Sequence, residues 1–306
     1  MGEGKGYGKV ILFGEHFVVH NVPSIVSAMA KATTAIVERF EGSSWTLDDR
    51  RPATPGYKED KIGQQRDSIE RVLRAAGFDA SKTPIKITLG GDLTAASGVG
   101  ASAASCVAIA RALSDEFSLG FSDQRVNEIA YEGEKAYHGT PSGVDNTAAT
   151  YGGLIWFVRG KPLEQIPIKK PVEVIIGNTG RVANTEAAVA GVRERKQKDP
   201  QNYDKLFKEA EELANIAKRA LVAYELRAVG KLMDTNHLLL QSIEVSSKEL
   251  DFLVNLAREN GAFGAKMTGG GLGGNMVALT PGKDLQDKVA RAIRDAGFDV
   301  VLTQIG

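Results

Sequence analysis

Ser97-Gly98-Val99-Gly100-Ala101-Ser102-Ala103-Ala104 is the stretch on which the reading of this chain turns. Upstream, Ile85–Leu89 alternates like a strand; downstream, an Ala/Val/Leu run predicts a helix to about Phe117. Small side chains at such a junction let the backbone approach a ligand closely. The unpaired N–H groups that open the helix, helped by its dipole, favour an anion. Phosphate is the natural ligand, and Ser102 in the first turn can reach a phosphate or a phosphate-bound Mg²⁺. The letters also fit G-x-G-x-x-A, the dinucleotide fingerprint. Against that, a long loop separates the glycines from Leu89, and no early βαβ unit carries them. A Walker A loop is absent, because Val10 follows Gly8-Lys9 and no glycine lies five residues before Gly8. A helix start that is glycine-rich only for close packing stays open as the alternative.

A second glycine run, Thr268-Gly269-Gly270-Gly271-Leu272-Gly273-Gly274, joins predicted strands at Gly264–Met267 and Asn275–Leu279. So many glycines cost chain entropy, which a plain turn does not require. It reads either as a loop closing over phosphates or as a flexible surface loop. The rest of the chain alternates between strand and helix patterns. Strands are expected at Lys9–Phe13, Phe17–Val19, Ala32–Phe40, Gly153–Val158, Val172–Gly177 and Phe298–Thr303. Helices are expected at Lys58–Ala76, Ser122–Tyr137, from Thr140-Pro141 onward, across roughly Thr185–Leu240, and at Lys248–Asn260 and Leu285–Gly297. The Pro-rich tract Arg159–Pro171 is the best domain edge, which gives an α+β chain in two halves, 1–170 and 171–306.

Two carboxylates and a lysine stand out beside the glycine runs. In His138-Gly139-Thr140-Pro141-Ser142-Gly143-Val144-Asp145-Asn146, Thr140 and Pro141 suit a helix N-cap and first position. Ser142 and Asp145 then share a face. Asp145 is followed by Thr147-Ala148-Ala149-Thr150, so it is expected half-buried, where it could take a proton from a substrate hydroxyl; complementing the helix dipole is the plainer reading. Glu134, within Glu132-Gly133-Glu134-Lys135, reads by itself as part of a solvated helix face. Lys9 opens an apolar strand, an odd place for a lysine unless it protects a strand edge. Glu15-His16 interrupts a β-rich run as a turn or as donors to a polar substrate. His20 and His237 are isolated, no His/Cys cluster has zinc-ligand spacing, and Cys106 reads as a packed helix residue.

Composition narrows the classes. Among 306 residues, Lys+Arg and Asp+Glu are 38 each, so no global field attracts nucleic acid or an anionic membrane. The longest apolar stretches, such as Leu154–Val158, are far too short to span a bilayer, and MGEGKGYGKVILFGEH has no apolar run like that of a secretory leader. A single cysteine excludes an intrachain disulfide and suits a reducing compartment, so a cytoplasmic enzyme is the expectation.

Taken in order, Gly8–His16, Ser97–Ala104, His138–Asn146 and Lys266–Gly274 resemble the motif series of the GHMP kinase superfamily, across Gly8 to Gly274. Within it, Gly14-Glu15-His16-Phe17-Val18-Val19 and His138–Asn146 look like the mevalonate kinase branch. Galactokinases would carry Asp-Tyr at Val18-Val19, and homoserine kinases typically lack the acid at Asp145. The resemblance implies a two-domain α+β fold, ribosomal-protein-like in its N-terminal domain and ferredoxin-like in its C-terminal domain. It implies an ATP-dependent, Mg²⁺-requiring transfer to the C5 hydroxyl of mevalonate, a step of isoprenoid precursor synthesis. Carried over by motif position, Asp145 is the catalytic base and Lys9 contacts the reacting hydroxyl, while Ser102 and Glu134 hold Mg²⁺. Glu15, His16, Ser142 and Thr185 surround the substrate. Gly98, Val99, Gly100, Ala101, Ser102 and Ala103, with Gly269, Gly270, Gly271 and Gly273, embrace the ATP phosphates. A homodimer is the family-level expectation.

Three departures stand out: Tyr7 replaces the usual Pro before Gly-Lys, Thr94 stands where a Pro often opens the second motif, and Ala101-Ser102 keeps one hydroxyl of a paired-serine motif. Some relatives carry a basic residue where this chain has Ala183. A GHMP kinase for another hydroxylated small molecule, or a sensor that binds without turnover, are the alternatives. The joint presence of Lys9, Ser102, Glu134 and Asp145 argues against the sensor.

Overall fold

The structure, a computed structural model, describes the whole chain except Pro55, Ala96, Ser97, Val182 and Asn184. Ser97 of the first glycine motif, and Val182 and Asn184 before Thr185, therefore lie outside the described residues. In chain order the elements begin with β1 (Gly2–Phe13), a 3-10 turn (Phe17–His20), β2 (Ser24–Arg39) and β3 (Thr46–Asp49). Next come α1 (Tyr57–Ala75), β4 (Ile85–Gly91), α2 (Ala101–Glu116), α3 (Asp123–His138) and α4 (Val144–Tyr151). β5 (Leu154–Phe157), β6 (Glu164–Gln165), β7 (Val172–Asn178), α5 (Thr185–Lys198), α6 (Pro200–Val222) and α7 (Leu226–Ser242) follow. The chain ends with α8 (Lys248–Glu259), β8 (Gly264–Thr268), β9 (Asn275–Leu279), α9 (Lys283–Asp295) and β10 (Asp299–Ile305).

These elements form two compact units that are discontinuous in sequence, one of Met1–Lys9 with Ala30–Gly152, the other of Val10–Met29 with Gly153–Gly306. The Pro-rich tract 159–171 lies inside the second.

In the first unit, Thr33–Arg39 of β2 pairs antiparallel with β4, and β3 joins β4 in parallel. α2 is buried from Ala101 to Leu113 except at Ser102 and Arg111, because Ala, Val, Ile, Leu and Cys hold most of those positions. The N-terminal arm of β1 explains how it is held. Gly2, Gly4 and Gly6, spaced at the strand period, each meet the α2 backbone, at Ala112, Ala108 and Ala104 in turn. Any side chain on that face would overlap a helix carbonyl. The sequence reading began this strand only at Lys9, because glycine has low strand propensity until a close-packed partner demands it.

In the second unit β7 is central. β10 pairs on one side of it and β9 on the other, with β8 outside β9, all antiparallel. Chain order β7, helices, β8, β9, α9, β10 with spatial order β10-β7-β9-β8 is the ferredoxin-like β-α-β-β-α-β arrangement. The expected C-terminal architecture is thus present, with extra helices between β7 and β8.

Two local expectations are corrected. Phe17–Val19 is not strand but part of the 3-10 turn: Gly14 (φ 95°) and His16 (φ 62°) turn the backbone into the left-handed region, and Val18 N–H donates to the Gly14 carbonyl. The helix signalled by Thr140-Pro141 begins only at Val144, with Gly143 (φ 87°) as its N-cap. Ser142 therefore precedes α4 and does not share a helical face with Asp145; its hydroxyl accepts the Val144 N–H at 3.3 Å.

Candidate active site

Lys9 ends the arm of β1 in the first unit. Its N–H donates to the Val99 carbonyl (2.9 Å), and its aliphatic stem lies against Gly100, where an added Cβ would sit 2.8 Å from Lys9 Cγ. The glycine turn and the lysine therefore fix each other. Gly98 (φ 95°) and Gly100 (φ 72°) both occupy the left-handed region that leads into α2. The Lys9 ammonium reaches Asp145 Oδ1 at 3.0 Å, with side-chain exposures of 5% and 27%. Protection of a strand edge does not explain so buried a lysine. Asp145 is half-buried, as expected.

Glu134 corrects the solvated-face reading: it is 1% exposed. The reason was readable in α3, where the buried positions Val126, Ile129, Ala130, Gly133 and Glu134 follow the helical period without a break. Burial, and after it the Asp145 charge, pushes the Glu134 carboxyl up to about 8, while a hydrogen bond from Ser102 and the Lys9 ammonium pull the other way. Its Oε1 has no hydrogen-bond partner among the described residues. A buried carboxylate in this state accepts either a proton or a cation. With the Ser102 hydroxyl beside it, the donors are hard oxygens of the kind Mg²⁺ prefers, so the residues present fit that ion. Cys106 lies nearby, buried, with its thiol pushed up to about 12 by desolvation, and is inert as expected.

Arg51, which follows β3, is a further residue of the site that its sequence context did not single out. It is buried, forks onto Asp49 (Nε–Oδ1 2.9 Å, Nη2–Oδ2 2.6 Å), and donates from Nη1 to the Ala101 carbonyl (3.4 Å) and the Ser105 hydroxyl. It thus braces the first turn of α2, which carries Ser102. Its signal was Asp48-Asp49-Arg50-Arg51-Pro52, a dense charge run in a predicted non-helical segment.

The remaining candidates belong to the second unit. Glu15, after β1, is ion-paired with Lys266 of β8, and both side chains are 0% exposed. Lys266 also donates to the Met267 carbonyl (2.6 Å). His16 Nε2 donates to the Gly270 carbonyl at 3.0 Å, and burial, with Lys266 adding to it, pulls the imidazole down to about 4, so it is neutral. The loop after β8 is pinned and not a flexible surface turn. Leu272 N–H donates to the Val245 carbonyl and Gly274 N–H to the Arg181 carbonyl, both at 2.8 Å. A Cβ at Gly270 would overlap the Thr185 hydroxyl, and one at Gly271 would overlap the Val245 carbonyl. Lys266 was a missed signal of the same kind as Lys9, a lone charge in an apolar strand.

With this geometry in view, comparison with known proteins is specific. The GHMP kinases N terminal domain family model matches residues 66–153, and the GHMP kinases C terminal model matches 204–299. The mevalonate kinase of Pyrococcus abyssi is 33% identical over 97% of this chain and 93% of its own length. That of Saccharolobus solfataricus is 30% identical over 89% and 87%. A crystal structure of L. major mevalonate kinase in complex with R-mevalonate superposes with a TM-score of 0.95 at 37% identity, covering 100% of this chain and 96% of that one. The chain belongs to the GHMP kinase family, and within it to the mevalonate kinases.

Proposed function

We propose that this enzyme transfers the γ-phosphoryl group of ATP to the C5 hydroxyl of mevalonate, giving 5-phosphomevalonate. The observation that carries the chemistry is the buried Lys9 ammonium, 3.0 Å from Asp145 and packed on the glycine turn that opens α2. Phosphoryl transfer depends on alignment and on stabilising charge spread over the transferred group. The turn Gly98–Ala103 offers backbone N–H groups and a helix N-terminus to the ATP phosphates. Ser102 and Glu134 would hold Mg²⁺, which supplies neutralisation of the phosphate charge when bound. Asp145 accepts the proton of the substrate hydroxyl, and Lys9 lowers the cost of the alkoxide that forms. Ser142 and Thr185 offer hydroxyls to the acid substrate. Glu15 and His16 act on the substrate end by fixing Lys266 and Gly270. The loop Gly269–Gly273 serves the phosphates in this reading, and its pinned backbone supports a preformed shape.

An ATP-turnover panel with mevalonate, phosphomevalonate, galactose and homoserine tests the acceptor, with product position read by phosphorus NMR. Turnover with mevalonate and a phosphomonoester on C5 is expected. Preference for another acceptor, or phosphate on another oxygen, would replace the substrate assignment while leaving the family intact. Ligand binding without ATP consumption would make the protein a sensor.

A further inference from the structure

Glu134 and His138 are i and i+4 on α3 and so share a face, and Asp145 enters from the first turn of α4. One donor atom from each lies within 4.8 Å of the other two. His138 Nε2 stands 3.8 Å from Glu134 Oε2, too far for a hydrogen bond, so the ring is not committed to that carboxylate. The imidazole is 46% exposed and Glu134 1%, so the cluster runs from solvent to a buried end. At that buried end, Glu134 Oε1 has no hydrogen-bond partner among the described residues. The Lys9 ammonium faces the two carboxylates and is already on Asp145, and the Lys61 ammonium lies near enough to His138 to lower its imidazole.

We propose that His138 is a nitrogen donor to a divalent cation that Glu134 and Asp145 hold in the nucleotide-free protein, a one-histidine, two-carboxylate site taking Co²⁺ or Mn²⁺ more tightly than Mg²⁺. This rests on, and extends, the assignment of a divalent cation to Glu134. Imidazole nitrogen favours first-row transition ions, whereas carboxylate oxygens suit Mg²⁺ and Mn²⁺ alike, so the nitrogen donor is what tilts this site away from Mg²⁺. Mg²⁺ prefers oxygen and sheds its waters reluctantly, so a lone protein site with a nitrogen donor holds it poorly without nucleotide. The ion therefore has a place in the protein before ATP arrives. Neither His16, tied to Gly270, nor His237, which accepts the Met267 N–H and faces Asp251, belongs to the cluster.

The test uses metal alone. Co²⁺ is titrated into chelator-stripped, nucleotide-free full-length protein and followed by its visible d–d absorption. Mn²⁺ is bound in parallel and read by pulsed EPR for imidazole nitrogen coupling. Saturable Co²⁺ binding, nitrogen coupling on Mn²⁺, and Mg²⁺ competition only in large excess are expected. His138→Gln, at a half-exposed position beside the helix end, should weaken Co²⁺ binding by at least roughly tenfold and abolish the coupling. Glu134→Gln should also weaken binding, and circular dichroism checks that both variants are folded. Mn²⁺ bound without nitrogen coupling, equal Co²⁺ affinity in wild type and His138→Gln, or no Co²⁺ binding without nucleotide would each overturn the proposal. Because no acceptor is present, failure of mevalonate turnover with an intact cobalt site rejects the substrate assignment alone.

Discussion

Stripped of divalent metal, the protein should be most stable near pH 6.5 and lose stability on both sides. The alkaline limb comes from Glu134. Its carboxyl is raised from 4.5 to about 8 by burial and by Asp145, so between those values the folded chain holds a proton that the unfolded chain has released. That contribution is complete below pH 4.5 and is lost as pH rises through about 8. The acid limb comes from His16 and His237, both lowered from 6.5 to about 4, burial being the largest cause for each. Their contribution is complete above pH 6.5 and is lost as pH falls through about 4. At about 1.4 kcal/mol per proton per pH unit, Glu134 alone removes roughly 2 kcal/mol between pH 6.5 and 8. Between pH 6.5 and 4.5 the unfolded chain takes two histidine protons against one held by folded Glu134. The net slope is about 1.4 kcal/mol per unit, or roughly 3 kcal/mol over the interval. His20 and His138, also lowered by burial, steepen this side. Losses of this size are a large share of an ordinary domain's stability of roughly 5–15 kcal/mol. Urea unfolding in EDTA at pH 5, 6.5 and 8, at fixed ionic strength, reads both limbs. Glu134→Gln should flatten the alkaline side and His237→Gln should soften the acid side. Wild-type stability that climbs steadily from pH 6.5 to 8 would rule out a protonated, buried Glu134.

Gly4→Ala should be severely destabilising, by several times the roughly 1–3 kcal/mol of ordinary overpacking, because its Cβ would meet the Ala108 carbonyl, which a rigid helix cannot move; soluble yield and urea midpoint report it. Ser102→Ala should raise the KM for Mg-ATP about tenfold or more while leaving the KM for the acceptor nearly constant, and steady-state kinetics with each substrate varied separates the two.

Elements whose periodicity is self-contained were legible in the residues. β9 is Asn275–Leu279 in both readings, and α2 runs to Glu116 against an expected end near Phe117. What escaped depends on partners distant in sequence. The Gly2–Gly6 arm is a strand only because α2 lies against it, and the Phe17–Val19 run looked extended until two left-handed residues redirected it. Thr140-Pro141 is a sound start signal, overridden by the turn through Gly143. At the site, Lys9 was conspicuous as a charge in an apolar strand. Glu134 was masked by its charged neighbours Glu132 and Lys135, although its place in the buried stripe of α3 was available. Short β3, with Asp49 leading into Arg51, had too few residues to show a period at all.

The claim most exposed to experiment is that Asp145, beside the buried Lys9 ammonium, takes the proton during phosphoryl transfer. Single-turnover transfer from ATP to mevalonate by Asp145→Asn, with ATP binding measured in the same preparation, tests it most directly. A rate lowered by about 10²–10⁴-fold with ATP affinity retained is predicted. Transfer at close to the wild-type rate would contradict it.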